Sequence, residues 1–568
     1  MPSSMKITVV ERCSISPPPH SVAASSLPLT FLDIPWLLFS PTKPLFFYNF
    51  PISTAHFIHS ILPNLKHSLS LTLQHFFPLA GNFSPSAAEP SLEYTENDSI
   101  CLTVTEAAAA AGEFSNLAGD HSRPARDFNR LVPVLKNETD SKESLLSIQI
   151  TVFPESGICM GFTLRHVVAD GRTFNNFLRT WASLTKSGEI MEIDQLLAFH
   201  DRLVIRDPIG LKSKFLKELW NIKVPQKGSI EANGSTYDML RATFVMSPQE
   251  MEKIKKWILT RSEKLFGSTQ LLLSPYVLTC AFVWVCWMKT HWSTSDEYDE
   301  SIHYFGFIAG GITRLDYVVP NIYVGNCVGF GRSEAKKTEL MGENGLAYAG
   351  KAIGDAIKKL NKDLLGGAEN WISEWKALRE SELHVMVTGS PKVGSYGLDF
   401  GWGKPMKIEE VSIGITGAIS LCEGREVVGS IEIGLALPQS KMDAFSTLFN
   451  KELETSERSN FEGLAEDFNG YNGDELISSE DVKGSEWKMR NPLFPKMCIL
   501  HDSTFCWEDL GILQNVYPTS FHNVKVFIPS QGHWIKKPPR DTSPYIRLTF
   551  TADLPYPLSF TFRNSQDL

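Results

Sequence analysis

Residues 146–171 read LSIQITVFPESGICMGFTLRHVVADG, and this stretch decides how the chain folds around its first motif. Apolar residues occupy every second position from Leu146 to Val152, which predicts a half-buried strand. Pro154–Gly157 is typical of a turn, and ICMGFTLR then predicts the second strand of a hairpin. The hairpin leads directly to His166.

A helix is predicted after Arg172, because the apolar period changes from two residues to about 3.6. His166-Val-Val-Ala-Asp170 therefore lies where a strand passes into a helix, and such junctions expose side chains on a rigid support. The apolar face of the helix is formed by Phe174, Phe177, Leu178, Trp181 and Leu184.

His166 and Asp170 are a candidate pair for proton transfer. A histidine that acts as general base needs a fixed ring and a neutral imidazole near pH 7. A carboxylate four residues away could orient that ring or could hold the loop through another partner. Taken by itself the HxxxD pattern is weak, and a structural histidine remains the favoured alternative.

Other catalytic patterns do not occur in the sequence. It contains no GxSxG, GxxxxGK[ST], strand-anchored GxGxxG or HExxH motif. These observations disfavour a serine nucleophile, an NTPase and a dinucleotide enzyme. A base without a nucleophile fits direct transfer, in which the base deprotonates an acceptor that itself attacks an activated carbonyl.

Composition is that of a globular protein, with 568 residues, 43% hydrophobic residues and a net charge of −10. Length alone predicts roughly four domains, and the acidic balance disfavours nucleic-acid binding.

The nine cysteines are widely spaced without a CxxC pair, so we expect no metal site and mostly reduced thiols in a cytoplasmic protein. The first residues show no secretory signal. Leu271–Met288 is long enough to span a bilayer, but Ser274 and Pro275 favour a buried helix.

A second motif, DFGWG, occupies residues 399–403. Two glycines around a tryptophan indicate a tight turn packed against a large aromatic ring.

Between the motifs, Ser247, Pro248 and Glu250 predict a capped helix that carries Lys255 and Lys256. Beyond residue 454 the composition changes, with nine acidic and four basic residues in 455–490.

Together the two motifs make the chain resemble the plant BAHD acyl-CoA-dependent acyltransferases, whose signatures are HxxxD and DFGWG. The resemblance covers about residues 5–454 and includes LPLTFLDIPWLLF, LQHFFPLAGNF and GLALPQSKMDAF. These segments are most similar to the clade that acylates anthocyanins, flavonoids and other phenolic glucosides, often with malonyl-CoA. That clade has a YFGNC motif, and this chain has YVGNC at 323–327, with Val324 in place of Phe.

The resemblance implies an α/β, two-domain fold like that of chloramphenicol acetyltransferase, with a central channel between the domains. The N-terminal acyltransferase domain is expected at 1–200, a crossover linker at 201–235 and the C-terminal domain at 236–454. Residues 455–568 are expected to be an irregular extension of unknown role.

By the same resemblance, His166 takes the acceptor proton, and Asp170 pairs with an arginine of the other domain, for which Arg314 is the candidate. Thr388 is the candidate donor to the oxyanion, with an ordinary strand threonine as the alternative. The DFGWG motif is expected to be structural; its residues are Asp399, Phe400, Gly401, Trp402 and Gly403.

The phosphates of CoA require Lys or Arg. Lys255 and Lys256 are candidate contacts, although a solvated helix face is the favoured alternative. Arg172 is a candidate partner for a malonyl carboxylate and could equally be a surface residue.

The sequence thus predicts an acyltransferase that uses malonyl-CoA or hydroxycinnamoyl-CoA as co-substrate and a phenolic glycoside as acceptor, with no permanently bound cofactor. A cytoplasmic monomer without nucleic-acid or membrane partners is expected. The alternative is a non-catalytic protein of the same fold that binds CoA or another ligand; the unusual residues 455–568 motivate it.

Overall fold

The computed structural model describes residues 5–85, 89–108, 112–135, 137–139, 142–188, 198–221, 239–267, 269–292 and 299–453, together with six strands beyond residue 453. The chain divides into two units, Met1–Phe468 and Asn469–Leu568.

The first unit contains eighteen strands among its described residues. They are β1 (Lys6–Ile15), β2 (Ser25–Pro28), β3 (Pro44–Tyr48), β4 (Asn82–Ser84), β5 (Ser91–Tyr94), β6 (Ile100–Ala108), β7 (Arg123–Pro124), β8 (Asn137–Thr139), β9 (Lys142–Ser144), β10 (Leu146–Phe153), β11 (Gly157–Leu164), β12 (Met239–Met246), β13 (Ile302–Gly310), β14 (Val328–Lys336), β15 (His384–Gly389), β16 (Lys407–Glu410), β17 (Ile419–Glu423) and β18 (Ile431–Pro438).

Thirteen α-helices accompany these strands in the described part of the first unit. They are α1 (Thr54–His56), α2 (Leu62–His75), α3 (Glu113–Leu117), α4 (Ala125–Asn129), α5 (Gly171–Ser187), α6 (Leu211–Asn221), α7 (Pro248–Phe266), α8 (Pro275–His291), α9 (Lys337–Met341), α10 (Gly345–Lys362), α11 (Trp371–Glu380), α12 (Ile413–Thr416) and α13 (439–453).

The N-terminal half is built on a six-stranded sheet in the order β1-β6-β10-β11-β3-β16, beside a five-stranded sheet in the order β2-β5-β4-β9-β8. Strands β10 and β11 pair as the predicted hairpin, with Leu146 opposite Leu164. The half-buried prediction for β10 is wrong, because every residue of it is buried. One sheet face packs in the main core, and the other faces a second apolar cluster that includes Phe114 and Phe128.

The C-terminal half is built on a seven-stranded sheet in the order β14-β13-β15-β17-β18-β12-β7. Helix α8 is the buried helix predicted from Leu271–Met288, and α7 begins at the predicted capping box of Ser247 and Glu250. Among the described helices, none is both long and apolar enough to cross a membrane. Helix α6 lies inside the predicted linker, whose residues 222–235 are outside the described part of the chain.

The two halves exchange strands. Strand β16, from the C-terminal half of the sequence, pairs with β3 in the six-stranded sheet, and β7, from the N-terminal half, pairs with β12 in the seven-stranded sheet. Glu409 on β16 is buried and accepts bonds from Arg123 on β7 at 2.8 Å and Arg241 on β12 at 3.1 Å. A fully buried charge network therefore joins the two sheets at the point of exchange.

In the second unit, four strands form one sheet and two form another. The first group is Trp487–Lys488, Met497–Leu500, Thr504–Trp507 and Lys525–Phe527, and the pair is Tyr545–Phe550 with Leu558–Arg563.

Candidate active site

The loop of residues 165–170 carries His166 between β11 and α5. Its backbone is closed by bonds from Val168 N–H to the Arg165 carbonyl at 3.2 Å and from Ala169 N–H to the His166 carbonyl at 3.3 Å. Asp170 then caps α5, since its Oδ1 accepts from Thr173 N–H at 2.8 Å. The strand and the capped helix fix both ends of the loop, as the sequence predicted.

Asn326 of the YVGNC motif fixes the tautomer of His166. The Asn326 amide nitrogen lies near three acceptors: Asp33 Oδ1 at 2.9 Å, the His166 carbonyl at 2.9 Å and the Val167 carbonyl at 3.2 Å. The amide oxygen therefore faces His166 Nδ1, 3.0 Å away. Because an amide oxygen can only accept, Nδ1 must carry the proton, and Nε2 keeps its lone pair.

Trp36 covers one face of the imidazole. The centroids of the two rings are 3.4 Å apart, and their planes differ by 12°. Burial lowers the pKa of His166 to about 4, although Asp170 and Asp33 act in the opposite direction. At neutral pH the imidazole is therefore uncharged and able to accept a proton.

Asp170 does not pair with Arg314, so that prediction is wrong. Its second oxygen, Oδ2, accepts from Cys327 N–H at 3.0 Å. Arg314 donates instead to Asn361 Oδ1 at 2.8 Å and to the Gly310 carbonyl at 2.7 Å. The aspartate is satisfied by two backbone N–H groups, which joins the histidine loop to the YVGNC motif.

Gly325 permits this close approach of the two motifs. Its φ is +153°, and a Cβ added there would lie 2.1 Å from Arg202 Nη1. The Gly325 carbonyl accepts from Thr173 Oγ1 at 3.0 Å. Val324, which replaces the phenylalanine of the clade motif, is 1% exposed in the main core.

Cys327 lies beside the loop but is a poor nucleophile. Burial raises the pKa of its thiol to about 12. The thiolate that a covalent intermediate would need is therefore scarce at neutral pH.

Arg172 is held by the backbone of the 321–323 segment. It donates to the carbonyls of Asn321 and Tyr323, the latter at 2.7 Å, and it lies 3.8 Å from Asp170 Oδ1. Its side chain is partly exposed, and most of its donors are already used without a substrate carboxylate.

Thr388 and the two lysines lie on elements of the C-terminal half. Thr388 is half-buried on β15, where it pairs with Ser420 of β17. On α7, Lys256 is exposed, and Lys255 lies 3.8 Å from Glu252 Oε2. These positions agree with the structural alternatives and leave the functional ones untested.

The DFGWG motif forms the predicted turn. Asp399 Oδ1 accepts from the N–H groups of Gly401 at 2.8 Å and Gly403 at 2.9 Å. Burial alone would raise the pKa of Asp399, but bonds from Lys186 and from these two N–H groups lower it. Phe400 packs edge-on against Trp181 of α5 at 5.0 Å, so the motif holds the helix that follows the histidine loop.

Asn326, Asp33 and Trp36 are site residues that the sequence reasoning missed. Each lies in a segment quoted for its resemblance, Asn326 in YVGNC and the other two in LPLTFLDIPWLLF. Their roles depend on contacts across more than a hundred residues, which spacing does not reveal.

Comparison with known proteins identifies the family of the chain. Residues 5–452 match the Transferase family. The chain belongs to the Transferase family. This family member is 35% identical over 468 residues to the malonyl-coenzyme A:anthocyanin 3-O-glucoside-6''-O-malonyltransferase of Dahlia pinnata, covering 79% of this chain and 98% of that protein. It is 36% identical over 459 residues to coumaroyl-CoA:anthocyanidin 3-O-glucoside-6''-O-coumaroyltransferase 2 of Arabidopsis thaliana, covering 78% of this chain and 97% of that protein.

Among solved structures, vinorine synthase is similar to this Transferase family chain with a TM-score of 0.56 at 18% identity, covering 77% of this chain and 96% of that one. The predicted α/β acyltransferase fold with two domains is therefore confirmed, as is the resemblance to the BAHD family. One family match covers residues 5–452, which is most of the length from which roughly four domains were expected.

Proposed function

We propose that the protein transfers an acyl group from an acyl-CoA, malonyl-CoA or hydroxycinnamoyl-CoA, to a hydroxyl of a phenolic or flavonoid glucoside. The observation that carries the mechanism is the bond between His166 Nδ1 and Asn326 Oδ1, because it leaves Nε2 free to accept a proton. The donors and acceptors follow from the names of the similar transferases of Dahlia and Arabidopsis.

In the proposed reaction, the acceptor O–H gives its proton to His166 Nε2, and the oxygen forms a bond to the thioester carbonyl carbon. The tetrahedral oxyanion then collapses, the C–S bond breaks, and the imidazolium returns its proton to the CoA sulfur. The products are an ester and free CoA. No covalent enzyme intermediate is formed, which agrees with the raised pKa of Cys327.

We further propose that Thr388 donates its hydroxyl hydrogen bond to the oxyanion. A preorganised donor contributes most when charge develops on the substrate oxygen, and its loss typically costs roughly 10²-fold or more in kcat. T388S keeps the hydroxyl and T388V removes it at similar size. Loss of kcat in T388V with retention in T388S supports the role; equal activity of both variants contradicts it.

Lys255 and Lys256 are proposed contacts for the CoA phosphates, and a central channel between the halves is the proposed route for both substrates. Exposure of Lys256 leaves it accessible to a phosphate. K255A/K256A should raise KM for acyl-CoA without changing KM for the glucoside. Arg172 is a weaker candidate for a malonyl carboxylate, because its bonds to Asn321 and Tyr323 would have to break.

The domain limits 1–200, 201–235, 236–454 and 455–568 are part of the proposal, as is a cytoplasmic monomer. The seven cysteines with described side chains are unpaired, which fits a reducing compartment. Sedimentation of purified protein and localisation of a tagged copy test these points.

Purified protein should be assayed by mass spectrometry with malonyl-CoA and coumaroyl-CoA against flavonoid glucosides. H166A should abolish transfer, while H59A, a change at an exposed histidine of the N-terminal half, should retain it. Full activity of H166A would contradict the mechanism. CoA binding without turnover on a broad acceptor panel would favour the non-catalytic alternative.

A further inference from the structure

One short turn supports His166 from two sides. The 3-10 helix Ile34–Leu38 begins directly after Asp33 and contains Trp36. Asp33 Oδ1 accepts from the Asn326 amide that fixes the edge of the imidazole, and Trp36 stacks on its face. Both supports therefore come from one short element, in which Asp33 and Trp36 are three positions apart.

We propose that Trp36 is a positioning residue whose indole face stabilises the imidazolium that His166 becomes when it takes the acceptor proton. This inference rests on the proposed general-base role of His166. It assigns Trp36 an electrostatic part in the transition state in addition to its packing.

The geometry satisfies the requirements of a cation–π interaction. The face of an indole ring carries negative charge density and attracts cations within about 6 Å of the centroid, more strongly than Tyr or Phe. Here the centroids of the Trp36 and His166 rings are 3.4 Å apart, and the ring planes are nearly parallel, at 12°. The neutral imidazole gains little from this attraction, and the imidazolium gains more. An interaction that grows as charge develops accelerates the chemical step instead of tightening substrate binding.

The charged groups around His166 are compatible with stabilisation of the imidazolium by Trp36. Burial lowers the pKa of His166 to about 4, which makes it a weak base, and the carboxylates that oppose this effect are those of Asp170 and Asp33. Each carboxylate has a guanidinium nearby, Arg172 at 3.8 Å and Arg202 at 3.6 Å, which reduces its effect on the imidazole. A π face stabilises the cation without adding a fixed charge to this buried loop.

Trp36 is itself held in place. It is 7% exposed, and Trp375 of α11 meets its ring edge-on with centroids 5.0 Å apart and planes at 77°. Phe39 contacts both indoles, at 5.7 Å from Trp36 and 4.5 Å from Trp375. The stacking surface is therefore preorganised before the proton moves.

Site-specific replacement of Trp36 by mono-, di- and trifluorinated tryptophan tests the proposal, because fluorine weakens the π face and changes the size of the ring little. We expect kcat to fall stepwise, by roughly tenfold over the series, with KM unchanged. The same analogues at Trp284, a fully buried tryptophan of α8 in the core of the C-terminal half, should leave kcat unchanged and serve as the matched control. A flat series at Trp36 overturns the proposal.

Ordinary substitutions and a substrate-free readout complete the test. W36F should retain more activity than W36L, since phenylalanine keeps an aromatic face. The rate at which diethyl pyrocarbonate modifies His166, followed across pH by mass spectrometry, should show a lower pKa of His166 as fluorines are added; an unchanged pKa overturns the proposal. H166A separates the two hypotheses. An active H166A rejects the general-base role, whereas an inactive H166A with a flat fluorine series rejects the role of Trp36 alone.

Discussion

His166 Nδ1 lies 3.0 Å from Asn326 Oδ1, although the two residues are 160 positions apart in the chain. The bond fixes which imidazole nitrogen carries the proton. It also joins the HxxxD loop of the N-terminal half to the YVGNC motif that precedes β14. The site is therefore assembled from both halves of the first unit.

The N326A variant should lose kcat by roughly 10²-fold, because the unheld imidazole rotates and can place its proton on Nε2. KM for both substrates should change little. N361A, which removes the Arg314 partner on α10, is the control and should keep wild-type kcat. A wild-type kcat in N326A, measured by steady-state kinetics, would show that the bond does not direct the tautomer.

D170N should destabilise the fold by about 1–2 kcal/mol, because its amide would bring an N–H group against the Thr173 or Cys327 N–H. Urea denaturation measures the loss. R314A should leave the free energy of unfolding nearly unchanged, since Arg314 bonds to Asn361 and Gly310 and not to Asp170. Strong non-additivity in the double variant would instead indicate that the two residues are coupled.

E409Q should be destabilised by about 3–5 kcal/mol, because it leaves Arg123 and Arg241 buried without their counter-charge. Burial alone would raise the pKa of Glu409, but Arg123, Lys407 and Arg241 lower it to about 2. A carboxylate with a lowered folded pKa adds stability above its unfolded pKa, and this stability is lost as pH falls from about 4.5 towards 2.

Denaturation of E409Q and wild type at several pH values within that window measures this effect. The difference between the two proteins should shrink as the pH falls. E252Q, at an exposed residue paired with Lys255 at 3.8 Å, is the control and should stay within about 0.5 kcal/mol of wild type. A constant difference between E409Q and wild type would reject the electrostatic origin.

G401A should lower thermal stability more than it lowers kcat per folded molecule. Gly401 has a φ of +105°, which an alanine adopts only with strain of about 1–3 kcal/mol. G397A is the matched control, since Gly397 has no such φ and a Cβ there meets nothing within 4 Å. A stable G401A with strongly reduced kcat would place the DFGWG turn in the chemistry instead.

Truncation after Glu454 should leave acyl transfer intact, because the family match ends at residue 452. The cut must retain α13, whose Glu452 bonds to Lys289 of α8 at 2.7 Å. A truncation after residue 438, which removes that helix, is the destabilised comparison. A chain of residues 1–454 that folds, by circular dichroism, but has no activity would show that later residues belong to the functional unit.

The sequence by itself determined the elements next to the histidine. Alternation in 146–152, the turn at Pro154–Gly157 and the apolar face of α5 are local patterns, and local backbone preferences decide them. The DFGWG turn was predictable for the same reason, because a carboxylate can accept from N–H groups two and four residues ahead. The HxxxD and DFGWG motifs, in that order along the chain, were then sufficient to predict the family.

Only the tertiary structure decided the partners of the site. Three contacts come from segments distant in sequence: Asn326 bonds to His166 Nδ1, Trp36 stacks on the His166 ring, and Cys327 N–H donates to Asp170. The expectation that Arg314 is the partner of Asp170 was wrong. Burial on both faces of β10 could likewise not be predicted from the sequence, because the alternation of apolar and polar residues does not indicate what packs against the polar face. Such contacts depend on how the strand exchange brings the two halves together, and composition or spacing along one chain carries no record of that arrangement.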